Sequence, residues 1–361
     1  MRFADLVAVS TQVGATRSRT AKIQLVAEAL RAAEPAGVRL VASYLAGTLP
    51  QRRTGVGWRS LMNRPASAAD PSLSLAQVDA AISEIAALGG PGSAAQRTQA
   101  VGRLFGALTG PEQDFLAGLL TGEIRQGALD GLLLSAIAKA SDVPDADVRR
   151  AVMLAGRSAE VAPIALAQGA EGLARIGLEV GRPLRPMLAG SAPDVDAALV
   201  QVGAGAPVAV ERKLDGIRLQ AHKDGAEVRL FTRSLDDITA RLPEVVALVA
   251  AVPARCLVLD AEAIALRPDG RPHPFQVTGA RTASRTDPVT LAGQTPVTTF
   301  VFDALHLDGR DLLDEPAAVR VEAIAELMPD AIVPRLVTAD AAQARAFFDA
   351  QVAAGHEGVV V

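Results

Sequence analysis

The chain has 361 residues, half of them apolar, with one cysteine and a net charge of -4. That length allows two domains with separate cores, and the apolar fraction excludes wholesale disorder. The lone Cys256 excludes an internal disulfide or a Cys-rich zinc site, which suits a reducing cytoplasm, and no apolar run approaches the ~20 residues of a membrane span, so a soluble, cytoplasmic protein is expected. A monomer is expected as well.

Charge is unevenly placed. Residues 1–60 carry nine Arg or Lys, among them Arg52 and Arg53, against three acids, a local net of +6 on an acidic chain. Such a segment suits a phosphate backbone, although a solvated surface written in Arg reads the same way. Only Lys22, Lys139, Lys213 and Lys223 are lysines among the 36 basic residues. Arg stays protonated where Lys can become a nucleophile, so a Lys in a motif-like setting stands out.

In chain order, the first half reads as helices. Ile23, Val26 and Leu30 form one apolar stripe; Leu75, Val78, Ile82 and Ile85 form another, with Ser74 and Gln77 in capping-box spacing and Gly89-Gly90 as the stop. Val101, Leu104, Phe105 and Leu108 predict a helix that ends at Gly110-Pro111, and helical patterning continues through 115–120, 132–138 and 148–154. The pattern changes near residue 181. Runs at 208–210, 217–222, 228–232, 257–266 and 297–307 predict strands, Asp-Gly pairs at 224, 269 and 308 predict turns, and 242–251 and 341–350 predict helices. The reading is an all-α domain over 1–180, a linker over 181–187 and an α+β domain on antiparallel sheet over 188–361.

The densest chemistry lies in Val210-Glu-Arg-Lys-Leu-Asp-Gly-Ile-Arg218. Lys213 ends a β-rich run, and burial or a neighbouring positive charge would free its amine for attack. Arg218 offers a fork that matches phosphate oxygens. The bland alternative is a salt-bridge cluster beside a hairpin turn. His222, His273, His306 and His356 lack metal-ligand spacing and read as structural, and no Walker A or G-x-G-x-x-G loop stands in a convincing setting.

The pattern Glu211-x-Lys213-x-Asp215-Gly216-x-Arg218 resembles motif I of ATP-dependent DNA ligases and their capping-enzyme relatives. Further resemblances follow in the family's order: Phe231-Thr-Arg-Ser234; Leu257 to Ala263 for motif III; Phe300 to Gly309 for motif IIIa; Glu357 to Val361 for motif IV. Arg185-Pro-Met-Leu188 ahead of motif I and Pro274-Phe-Gln276 also fit. In the helical half, Leu119-Leu-Thr-Gly-Glu-Ile-Arg-Gln-Gly127 resembles the DNA-binding domain of eukaryotic- and archaeal-type ligases, which disfavours an RNA ligase or a capping enzyme.

The resemblance implies an all-α DNA-binding domain followed by an antiparallel-sheet nucleotidyltransferase domain, and nick sealing in duplex DNA through lysyl-AMP and 5′-adenylylated DNA. Lys213 would attack the α-phosphate of ATP. Glu211 would accept from the adenine amino group, Glu262 would bind ribose hydroxyls, and Phe302 would stack on adenine or simply fill the sheet core. Arg218 and Arg233 would hold phosphate or ribose. Glu357, with Glu262, would place Mg²⁺, unless each makes an ordinary strand-end salt bridge. Arg125 would touch a DNA phosphate, or cap a helix and pair with Glu123, and Arg52 and Arg53 are further DNA-contact candidates. The family carries two motif V lysines and an OB-fold domain after motif IV. No Lys follows Lys223, so a C-terminally incomplete chain that does not complete sealing alone is expected. A DNA-binding clamp without chemistry is the rival from another class.

Overall fold

The helices of the first half follow the apolar spacing closely. A computed structural model describes residues 1–124 and 129–361 and divides into two units, Met1–Gly177 and Leu178–Val361. The first contains Phe3–Ala15 (α1), Arg19–Ala32 (α2), Val38–Leu45 (α3), the short Trp58–Leu61 (α4), Leu75–Ala87 (α5), Ser93–Gly106 (α6), Gly110–Thr121 (α7), Leu129–Ser141 (α8), Asp145–Ala155 (α9) and Ser158–Ala174 (α10). In α5 the Ser74–Gln77 capping box forms in both directions, and Leu75, Val78, Ile82 and Ile85 are all buried. This is the outcome expected when a capped helix lays one apolar stripe on a core.

One boundary differs from the sequence reading. The helix carrying Val101, Leu104 and Phe105 stops at Gly106, and Gly110-Pro111 opens α7 instead of merely closing α6. Proline fits the first turn, where its missing N–H leaves no bond unmade. Thr109 caps it with Glu112 in a capping box. Leu108 is fully buried outside either helix. Among the described residues no helix is long and apolar enough to cross a membrane.

The second unit holds two antiparallel sheets. Val208–Lys213 (β1) lies between Arg335–Thr338 (β7) and Gly358–Val360 (β8). Ile217–Asp224 (β2), Glu227–Thr232 (β3), Cys256–Ala265 (β4), Val297–Leu307 (β5) and Arg310–Asp311 (β6) form the other, in the order β3-β2-β4-β5-β6. Val195–Gly203 (α11), Pro243–Ala250 (α12), Phe275–Ala283 (α13), Pro288–Gln294 (α14), Ala317–Ala325 (α15) and Ala341–Ala353 (α16) complete it. The Asp-Gly pairs at 224 and 308 turn the chain between adjacent strands, with Gly225 and Gly309 at positive φ. The pair at Asp215-Gly216 makes no hairpin, because β1 and β2 belong to different sheets.

The twofold repeat of a strand decides what faces what. Ile217, Leu219 and Ala221 on β2, with Leu257, Leu259, Ala261 and Ala263 on β4, join α12 and α15 residues in one core. Arg218, Gln220 and His222 on β2, and Asp260 and Glu262 on β4, therefore point to the opposite face. There the stretch over 181–187, read from sequence as a linker, is held along β2. The Gly181 N–H donates to His222 Nδ1 at 3.0 Å. The Leu184 N–H donates to Gln220 Oε1 at 2.9 Å, and Gln220 Nε2 donates back to the Leu184 carbonyl at 2.6 Å. The Met187 carbonyl accepts from Arg218 Nη1 at 2.8 Å. Three alternate side chains thus fasten this strap in register.

Candidate active site

Register brings the motif residues together. Lys213 is the last residue of β1 and pairs with Gly358 of β8, which sets Glu357 beside it. The Lys213 ammonium and the Glu357 carboxylate form an ion pair, each side chain about half exposed. The sequence expectation of a buried lysine or a cationic neighbour does not hold, since the partner is a carboxylate. Glu211, two residues earlier, shares the Lys213 face and is ion-paired with Arg335 of β7, both largely buried. Arg212 points the other way and donates to Gln351 of α16 at 2.7 Å.

Arg218 and Glu262 are direct partners across β2 and β4. The Arg218 fork grips Asp260 through two bonds of 3.1 and 2.7 Å, and its carbon lies 5.4 Å from the centre of the Phe302 ring. Phe302 packs against Leu214, Ile264 and Val333 and also lines the cleft. Glu262 Oε1 accepts the Gly216 N–H at 2.6 Å. A Cβ on Gly216 would stand 2.5 Å from the Ala263 carbonyl oxygen, so only glycine lets this turn lie on β4.

An open cleft of about 1470 Å³ is lined by Glu211, Lys213, Arg218, Arg233, Glu262, Phe302 and Glu357, with Asp215, Phe275 and Gln276 among its other walls. Every site residue read from the second half of the sequence meets there. Arg233 is exposed at its edge. Arg52 and Arg53 are exposed in the helical unit, and Arg125 lies outside the described residues.

Burial pushes up the carboxyls of Glu211, Asp260 and Glu262, against the opposing pull of Arg335 on the first, Arg218 on the second and the Gly216 N–H on the third. For Arg218 burial works against the charge, but the bonds to Asp260 and the charges of Asp260, Glu262 and Asp303 outweigh it and hold the guanidinium above its usual range. Asp303 is itself clasped by Arg320 at 2.7 and 2.9 Å. Among the described residues no cluster of three or more His, Cys, Asp or Glu forms a ready-made metal site. The cleft offers Glu262 and Glu357, and one or two carboxylates completed by phosphate oxygens is how Mg²⁺ is commonly held.

The sequence reading missed Asp260, Asp303, Arg320 and Arg335. For Asp260 a signal existed: it stands two residues before Glu262 on an alternating strand and so shares its face. Arg335 comes from a strand more than a hundred residues away, and nothing local announces it.

Comparison with known proteins fits this geometry. A model described as "DNA ligase N terminus" matches residues 59–138, and one described as "ATP dependent DNA ligase domain" matches residues 186–361. A "Probable DNA ligase" of Streptomyces griseus subsp. griseus is 53% identical over 368 residues, covering 100% of this chain and 71% of that protein. The chain belongs to the ATP-dependent DNA ligase family. A "Probable DNA ligase" of Mycobacterium sp. (strain KMS) is 52% identical, covering 100% of this chain and 69% of that protein. The solved structure called "Pmar-Lig_PreS3" superposes over 98% of this chain and 73% of its own, with a TM-score of 0.59 at 16% identity, a likeness of fold.

Proposed function

We propose that Lys213 is the nucleophile of an ATP-dependent ligase acting on nicked duplex DNA, and that the cleft around it carries out self-adenylylation. The supporting observation is that Lys213 and six further motif residues line one cleft although they are spread from position 211 to 357. The Lys213 Nζ attacks the α-phosphorus of ATP, a P–N bond forms, and the bond to pyrophosphate breaks. Glu357, already in contact with Nζ, is placed to accept the proton that the amine sheds. Covalent attachment divides a difficult condensation into activated steps.

In this reading Glu211 accepts from the adenine amino group, Glu262 binds ribose, and Phe302 offers a stacking face. Arg218 and Arg233 stabilise phosphate charge, and Asp260 fixes the Arg218 fork so that it need not reorganise. Glu262 and Glu357 would hold Mg²⁺, which would neutralise phosphate oxygens. Arg52 and Arg53 would contact the DNA backbone. The single cysteine fits a reducing cytoplasm, and the protein is read as a monomer. Incubation with α-labelled ATP and Mg²⁺ is expected to leave acid-resistant label on the protein, absent in Lys213→Ala. Equal labelling of both would overturn the assignment.

A further inference from the structure

Glu211 is held from behind. It and Arg335 are cross-strand partners of β1 and β7, and Arg335 Nη2 donates to Glu211 Oε1. Glu211 lines the cleft and Arg335 does not. The two side chains are only 20% and 19% exposed, so the pair is largely desolvated. Arg335 Nε is buried with no hydrogen-bond partner among the described residues. The fork is thus committed to Glu211 while one of its own donors goes unmet. Packed apolar residues would stabilise a sheet as well or better, which points to a purpose for the pair other than stability.

What the pair secures is the state of the Glu211 carboxyl. Burial favours the neutral acid, and the charge of Asp303 on β5 acts in the same sense, although Arg320 clasps Asp303. Arg335 opposes both. On the other side of β1, Glu211 pairs with Val360 of β8, which carries no charge. Helices α11 and α16 pack with Val210 on the far face. Lys213, which shares the Glu211 face, is engaged by Glu357. Arg335 is therefore the cation that keeps this carboxyl ionised. A neutral carboxyl has an O–H donor beside its acceptor oxygen, whereas a carboxylate only accepts. That difference decides which purine can be read. A 6-amino group donates and suits a carboxylate; a 6-oxo group only accepts and would meet it lone pair against lone pair. With Oε1 taken by Arg335, Oε2 is left for the base.

We propose that Arg335 is a specificity-determining positioning residue, holding Glu211 as an acceptor-only carboxylate so that the cleft admits a 6-aminopurine nucleotide and rejects a 6-oxopurine one. This rests on the reading that Glu211 faces the base. It places part of the nucleotide choice on a strand that none of the motifs around Lys213 includes.

The deciding quantity is the ratio of labelling efficiencies of the full chain with α-labelled ATP and α-labelled GTP, each taken as initial rate per nucleotide concentration below saturation. Misfolded molecules label with neither, so the folded fraction cancels, and a purely structural role for Arg335 would leave the ratio unchanged. Arg335→Met is expected to lower it about tenfold or more, with the loss deepening from about pH 8 to about pH 6 as Glu211 gains a proton. Arg335→Lys restores a positive charge and is expected to recover most of the preference. Glu211→Gln offers both a donor and an acceptor, and is expected to lose the preference at every pH. A wild-type ratio in Arg335→Met overturns the proposal. If Glu211→Gln loses the ratio in that same comparison, the role of Arg335 alone fails; if Glu211→Gln also keeps it, the reading of Glu211 fails too. Should Arg335→Met give no folded protein, Arg335→Gln decides by the same measure.

Discussion

The Lys213 ammonium rests against the Glu357 carboxylate because β1 and β8 pair Lys213 with Gly358. Lys213 and Glu357 lie 144 positions apart in the chain, and one antiparallel register joins them. If Glu357 receives the proton from Nζ, Glu357→Gln keeps the size of the side chain and loses the base. Self-adenylylation is then expected to slow tenfold or more, read as the initial rate of labelling from α-labelled ATP. A variant that labels at the wild-type rate would reduce the pair to a resting contact.

Asp260 holds the Arg218 fork through two bonds and is nearly buried. Asp260→Ala removes the carboxylate bonded to that guanidinium, leaving only the charges of Glu262 and Asp303 around it, a loss on the order of 3 kcal/mol for a pair of this kind. Both a lower thermal midpoint and a raised KM for ATP in the labelling reaction are expected. An unchanged KM in a destabilised variant would confine Asp260 to the fold.

Gly216 lies so close to β4 that a methyl group would meet the Ala263 carbonyl. Gly216→Ala is expected to lift the turn, break the bond to Glu262 and cost about 1–3 kcal/mol, as overpacking commonly does. Labelling should fall at least tenfold. Wild-type rate and melting point together would show that the turn has room to move.

His222 is fully buried, accepts the Gly181 N–H, and is held down to about 4 by burial and then by Arg229. Its folded value lies below the unfolded one near 6.5, so the unfolded chain binds the extra proton in between. Stability contributed by neutral His222 is therefore complete above pH 6.5 and lost as pH falls towards 4, on the order of 3 kcal/mol. The raised carboxyls of Glu211, Asp260 and Glu262 act in the opposite sense over acidic pH, which makes the comparison with His222→Gln the informative one. Urea midpoints of the two proteins at pH 7 and 4.5 should diverge in slope. Parallel pH dependences would mean that the strap does not require the neutral ring.

Local chemistry was readable wherever it was periodic. The Ser74 capping box, the Asp-Gly turns and the run from Leu257 to Leu266 each formed near the expected place, since propensity, alternation and turn residues act within a few positions. Gly110-Pro111 was read in the wrong direction because the same pair can close one helix and open the next, and only the packing of α6 and α7 decides. The residues 181–187 read as a tether because Pro and Gly interrupt both patterns. Their partners, His222 and Gln220, look from sequence like ordinary alternating strand positions.

Sequence alone singled out Lys213 and its motif companions as candidates, because the proposed chemistry restricts residue type there: an arginine cannot serve where an amine must attack. Tertiary structure alone decided that Arg335 meets Glu211, that Asp260 steers Arg218, and that Lys213 waits on a carboxylate. Those contacts depend on strand order and register across two sheets. Register is a cooperative property of many packed residues, and no short stretch of chain encodes it by itself.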